Sequence, residues 1–234
     1  MPQTLPWNTM KSIITLLVVC ISYHITLAEE PLAVLQKAIA KIKMVKDYEA
    51  NVDIQLDVDF IKAPKANGTM YFKQPNKFRL KSEDIAMLPK QGLTVMPLSF
   101  LQNGDFDALP AGTTQFNGIQ CVVVKVIPRS DSADVVASKL YIDPTTSLIL
   151  KSESTTKKNG TLIIMLEYSS AKQYGLPSKM TVTFDVPEFK LPKSMSGDIS
   201  SSPKENKPKR TTGSVIITCQ NYKINKGVAD SVFH

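Results

Sequence analysis

The chain has 234 residues, 43% of them hydrophobic and 21% charged, with a net charge of +7. That balance excludes a disordered or low-complexity chain and leaves enough apolar material for one domain with a real core. The two histidines, His24 and His234, lie near the two ends, so no Ser-His or Cys-His nucleophile system can form in the body of the chain.

Residues 1–28 read as a secretory signal peptide. Lys11 precedes an apolar run from Ile13 to Ile21, Ala28 offers a small residue for cleavage, and Glu29 and Glu30 open the mature chain. Cleavage there removes Lys11 and takes the charge from +7 to +6. The alternative, an uncleaved anchor, needs about 20 apolar residues, and this run is shorter. Val19 before Cys20 is a poor fit to a lipid-attachment site, which wants a small residue.

Residues 31–48 follow helical spacing through Leu32, Leu35, Ala38, Ile39, Ile42 and Val45, with Pro31 in the first turn. The period then changes to two. Val52, Ile54, Leu56, Val58 and Phe60 alternate with polar neighbours, as in a strand with one buried face. Asn67-Gly68 is read as a tight turn, after which Met70 and Phe72 continue the apolar side. Pro75-Asn76 turns again, and Phe78 and Leu80 alternate with Lys77, Arg79 and Lys81.

Residues 82–112 are greasy but not periodic. Met87, Leu93, Met96 and Phe100 lie among Pro89, Gly92 and Pro97, which suggests short helical turns and loops closed by Asn103-Gly104-Asp105 and by residues 109–112. Strands resume after Asn117-Gly118, at 119–127, 139–143, 148–153, 161–168 and 179–186, with Asn159-Gly160 as a further hairpin signal. Residues 187–213 are rich in Pro, Ser, Lys and Gly and read as a long mobile loop, basic across 190–212. That loop suits anionic headgroups or an acidic partner, or is simply solvated. It holds no aromatic residue after Phe189, so nucleic acid is not an expected partner. A last strand covers 215–224, and a short tail follows. Eight to ten strands in meander order and one long helix give a mainly β class: one curved antiparallel sheet or part-barrel.

Chemistry is sparse. Asp53, Asp57 and Asp59 share a strand face and could cup calcium or flank a glycosidic bond, but the wet face of an amphipathic strand is the simpler account. No phosphate-binding loop or dinucleotide fingerprint occurs, and Cys121 and Cys219 are too few for a zinc site. No metal, cofactor or catalytic residue is therefore expected, and the chain reads as non-enzymatic. Export permits a Cys121–Cys219 disulfide, while their apolar surroundings suit two buried free thiols equally.

Apolar surface remains. One sheet face collects Leu56, Val58, Phe60, Met70, Phe72, Phe78, Leu80, Leu140, Ile142, Leu162, Ile164, Met180, Val182 and Phe184. A curved sheet cannot fill its own concave side. The helix, the segment carrying Met87, Leu93, Met96 and Phe100, or a ligand must cover it. These eighteen side chains are the candidate lining of an apolar cavity; the alternative is a fully packed core.

Three segments carry a resemblance. Residues 68–80 (GTMYFKQPNKFRL), 140–151 (LYIDPTTSLILK) and 221–233 (NYKINKGVADSVF) together resemble the strand pair, the D-x-x-T hairpin and the closing segment of the LolA-like outer-membrane lipoprotein carriers. The resemblance spans about residues 30–233, with the basic stretch at 192–212 as an insertion. It implies an unclosed β-barrel with a helical lid over an apolar cavity, in a single domain covering 29–234. It further implies a periplasmic, monomeric carrier of acylated lipoproteins or other lipids, receiving cargo from an inner-membrane donor and giving it to an outer-membrane acceptor. Relatives with this fold also act as envelope-stress sensors, which makes an interaction module the alternative. In the carriers an arginine near the start of the barrel latches the lid, and Arg79 holds the matching position. Arg79 shares its parity with Lys77 and Lys81, so projection into solvent is the other reading.

Overall fold

The computed structural model describes residues 30–58, 65–82, 101, 104–131, 133–157, 160–186 and 211–234. Its elements in chain order are helix α1 (Pro31–Lys43) and strands β1 (Asp47–Val58), β2 (Ala66–Lys73), β3 (Lys77–Lys81), β4 (Phe106–Phe116), β5 (Ile119–Pro128), β6 (Val135–Asp143), β7 (Leu148–Thr156), β8 (Gly160–Glu167), β9 (Lys179–Val186) and β10 (Thr211–Ile224). Two short 3₁₀ turns occupy Lys172–Tyr174 and Asp230–Phe233.

All ten strands form one antiparallel sheet in the order β3-β2-β1-β10-β9-β8-β7-β6-β5-β4. The sheet is not closed into a barrel, because β3 and β4 remain as its two edges. Its inner face is written in the register. Leu56 pairs with Val215, Val215 with Val182, Val182 with Ile164, Ile164 with Ser152, Ser152 with Leu140 and Leu140 with Val124. One row thus runs across seven strands, as period-two patterning requires. Tyr48, Phe72 and Phe78 form a second row across β1, β2 and β3.

Helix α1 buries Val34, Leu35 and Ala38 and packs against β4, β5, β6 and the 172–174 turn. It stops at Lys43, five residues before the point its spacing predicts. The reason is tertiary. Gln74 Nε2 donates to the Lys43 and Val45 carbonyls at 3.1 and 2.8 Å, and Asn225 Nδ2 donates to the Met44 carbonyl at 2.9 Å. These side chains satisfy carbonyls that a helix leaves open at its end. Asn225 Oδ1 also accepts from the Lys46 amide at 2.7 Å, which fixes the chain as it enters β1.

Other boundaries differ from expectation for local reasons. Asn67-Gly68 is no turn; it lies inside β2. A Cβ on Gly68 would sit 2.6 Å from the Lys81 carbonyl oxygen, so this glycine serves close strand approach. Leu109-Pro110 lies within β4 rather than in a loop, on the sheet edge beside a register shift between Pro110 and Thr113, where a missing amide donor is tolerated. Thr211, Thr212 and Gly213 belong to β10, although composition extends the loop to 213. Asn117-Gly118 does form the β4–β5 turn, with φ of 49° and 78°. The signal segment 1–28 and residues 190–210 of the basic loop lie outside the described residues.

Candidate ligand cavity

Below α1 the curved sheet leaves a cavity of about 90 Å³. Its lining comes from every side: Ala38 and Ile42 of α1, Val45, Tyr48 of β1, Met70 and Phe72 of β2, Leu148 and Ile149 of β7, Ile164 and Leu166 of β8, Tyr168, Met180 of β9 and Tyr222 of β10. Ser147, Gly175, Leu176 and Pro177 complete it. That six strands and the helix meet around one space is the direct sign of strong sheet curvature. No charged side chain is among the lining residues.

Besides Ser147, the polar side chains of the wall are tyrosines. Tyr168 donates to the Ile149 carbonyl at 2.7 Å and Tyr222 to the Pro177 carbonyl at 2.8 Å. Among the described residues the Tyr48 hydroxyl donates only to the Met70 sulfur, at 3.8 Å. Its ring stacks against Phe72 and meets Tyr222 edge-on, with centroids 5.3 and 5.5 Å apart. Burial pushes all three phenols above their ordinary pKa, so they remain neutral. An uncharged, largely apolar wall suits hydrocarbon and disfavours an ion.

Of the eighteen candidate side chains, Met70, Phe72, Ile164 and Met180 line the cavity. Leu56, Leu140, Ile142 and Phe184 are buried, and Phe78, Leu80, Leu162 and Val182 are half-buried on the inner face. Val58 closes β1 opposite Gly213. Phe60, Met87, Leu93, Met96 and Phe100 lie outside the described residues.

Sequence reasoning missed the three tyrosines. Tyr48 had been counted in the helix, and Tyr168 and Tyr222 sit at strand ends where alternation breaks. It also missed Ser138, Ser152 and Ser154, which are buried on the inner face of β6 and β7. They satisfy one another, with Oγ–Oγ distances of 2.5 Å for Ser138–Ser154 and 3.1 Å for Ser152–Ser154. Serine in a strand reads as solvent-facing unless a partner serine across the register is known.

Lys41 of α1 donates to the Thr146 carbonyl in the β6–β7 turn. That turn is shaped by Asp143, whose carboxylate accepts from the Thr145 amide at 2.8 Å and the Thr146 hydroxyl at 2.6 Å. Arg79 points elsewhere. Its Nη1 donates to the main-chain oxygen of His234 at 2.7 Å, on the terminal segment rather than on α1. Cys121 and Cys219 are both buried and free, so of the two readings the disulfide is the one not realised. They sit on β5 and β10, with four strands between them in the sheet. Asp53 and Asp57 are exposed on β1, and no group of three or more metal-ligating side chains occurs among the described residues.

No family model and no curated protein sequence matches the chain. Solved structures do. A domain of Vibrio parahaemolyticus described as an outer membrane lipoprotein-sorting protein is 12% identical, with a TM-score of 0.57 over 87% of this chain and 95% of that one. A LolA superfamily protein of Nitrosomonas europaea is 9% identical, with a TM-score of 0.55 over 88% and 98%. A DUF1329 family protein of Desulfovibrio piger is 12% identical, with a TM-score of 0.54 over 86% and 96%. At these identities the likeness concerns architecture, and the ten-stranded unclosed sheet with its helix is the LolA-like fold.

Proposed function

We propose that this protein is a non-enzymatic carrier that takes acyl chains of lipoproteins or other lipids into the cavity beneath α1 and moves them toward the outer membrane. The observation that carries the reading is the uncharged, apolar wall formed jointly by α1 and six strands. Candidate contacts are Met70, Phe72, Ile164 and Met180. Leu56, Leu162, Val182 and Phe184 lie farther along the same inner face. The likeness to a domain described as lipoprotein-sorting supports the same class of cargo. In this reading residues 1–28 export the chain to the periplasm, and donor and acceptor proteins at the two membranes load and unload it. The sensor alternative depended on the basic loop, which lies largely outside the described residues.

Energetics fit a carrier. Each methylene removed from water contributes about 0.8 kcal/mol, so even a partly buried chain dominates binding. A cavity of about 90 Å³ is well below the volume of an ordinary ligand pocket. Loading therefore requires α1 to shift outward, which keeps affinity moderate and release feasible. The test is uptake of a fluorescent fatty-acyl probe by the purified protein. Binding at micromolar probe is expected, and Ile164→Phe should weaken it at least tenfold by filling the cavity. A wild-type protein that gives no fluorescence change would end the proposal.

A further inference from the structure

Among the described residues, the Tyr48 hydroxyl is the one tyrosine hydroxyl of the cavity wall that lacks an oxygen acceptor. The residue is 3% exposed, and among the described residues its only hydrogen-bond acceptor is a thioether sulfur 3.8 Å away. Sulfur is a weak acceptor, and a buried donor with so poor a partner is uncommon in a native structure. Its two neighbours in the wall behave otherwise, because Tyr168 and Tyr222 each donate to a carbonyl within 2.8 Å. A carbonyl oxygen is thus what a tyrosine hydroxyl finds elsewhere in this cavity, and Tyr48 lacks one. The surrounding wall holds no cation to offset a carboxylate.

We infer that Tyr48 donates a hydrogen bond to the neutral carbonyl oxygen of a bound acyl ester or amide, and so selects esterified or amidated acyl chains over free hydrocarbon and over ionised fatty acids. The inference rests on the acyl-binding reading of the same cavity and gives it a polar anchor. A carboxylate entering the site would lose its hydration without gaining a counter-charge. An ester carbonyl gains a donor that is already desolvated, so little of the bond's worth is lost on binding. Burial keeps the phenol protonated throughout the physiological range, which makes it a constant donor.

The experiment compares dodecane, methyl laurate, N-methyl lauramide and laurate as displacers of the neutral fluorophore N-phenyl-1-naphthylamine. Wild-type protein, Tyr48→Phe and Met70→Leu are tested side by side at pH 8. In wild type the ester and the amide should each outcompete dodecane about five- to tenfold, the size of one hydrogen bond, and laurate should rank below both. Tyr48→Phe should bind dodecane as wild type does, which shows that its cavity is intact, while the ester and amide advantage disappears. Met70→Leu removes the sulfur that competes for the hydroxyl and should keep or raise the advantage. An advantage for the ester without one for the amide would identify the ester-linked chain as the source. An unchanged advantage in Tyr48→Phe would overturn the inference while leaving acyl binding in place. Failure of all four ligands to displace the fluorophore from wild type would overturn both readings together.

Discussion

Single residues decide where strands meet and how turns close. Gly68 lets β2 and β3 approach so closely that any Cβ would strike the Lys81 carbonyl. Gly68→Ala is expected to destabilise the fold by about 1–3 kcal/mol, read as a lower urea midpoint with an unchanged slope. Asp143 acts through hydrogen bonds to Thr145 and Thr146 in the β6–β7 turn. The inner-face serines and the cavity tyrosines were illegible in the sequence for one physical reason. A hydroxyl's burial depends on a partner supplied by another strand or by a loop carbonyl, and periodicity carries no trace of that partner. Gly68 was misread for a related reason: Asn-Gly is a turn signal only when nothing packs against the glycine.

At the scale of elements, α1 is anchored unevenly. Gln74 and Asn225 hold its C-terminal end, and Lys41 ties the last turn to Thr146. Its first turns rest on apolar packing through Val34, Leu35 and Ala38. This arrangement suits a lid that swings about its C-terminal end. Loosening the swinging end with Leu35→Ala should speed acyl-probe uptake severalfold, whereas Lys41→Ala at the pivot should change it little. Uptake that ignores Leu35→Ala would show that ligands enter by another route. The 230–233 segment is tethered differently. Asp230 meets Lys77 at 2.6 Å and Lys73 at 3.1 Å, and hydrogen bonds from Lys77 and then Lys73 hold its carboxyl below the ordinary carboxylate value. A depressed carboxyl favours the docked state above the ordinary range, and that contribution is lost as pH falls through the depressed value. Amide exchange of residues 230–233 should therefore accelerate, relative to the intrinsic rate, only under acid conditions. Strand positions were the most legible feature at this scale, because β1, β3 and β9 alternate cleanly. The helix end was not, since Val45 and Tyr48 continue the apolar spacing while Gln74 and Asn225, distant in sequence, stop the helix.

For the whole molecule, pairing of β1 with β10 brings the two ends of the meander together and leaves the gap between β3 and β4. The sheet curls because its inner rows must meet one another and α1, and the hollow under α1 is the space they do not fill. The sequence marked an inner face but not where it would be empty, because four of its candidate side chains border the cavity while others pack solidly elsewhere. The central claim is that outside hydrocarbon completes this interior. Native mass spectrometry of the protein purified from a bacterial envelope, without delipidation, tests it most directly. The expected spectrum shows an added mass matching an acyl lipid on wild type and little or none on Ile164→Phe. A wild-type protein that arrives bare, and stays bare after incubation with an acyl ester, would contradict it.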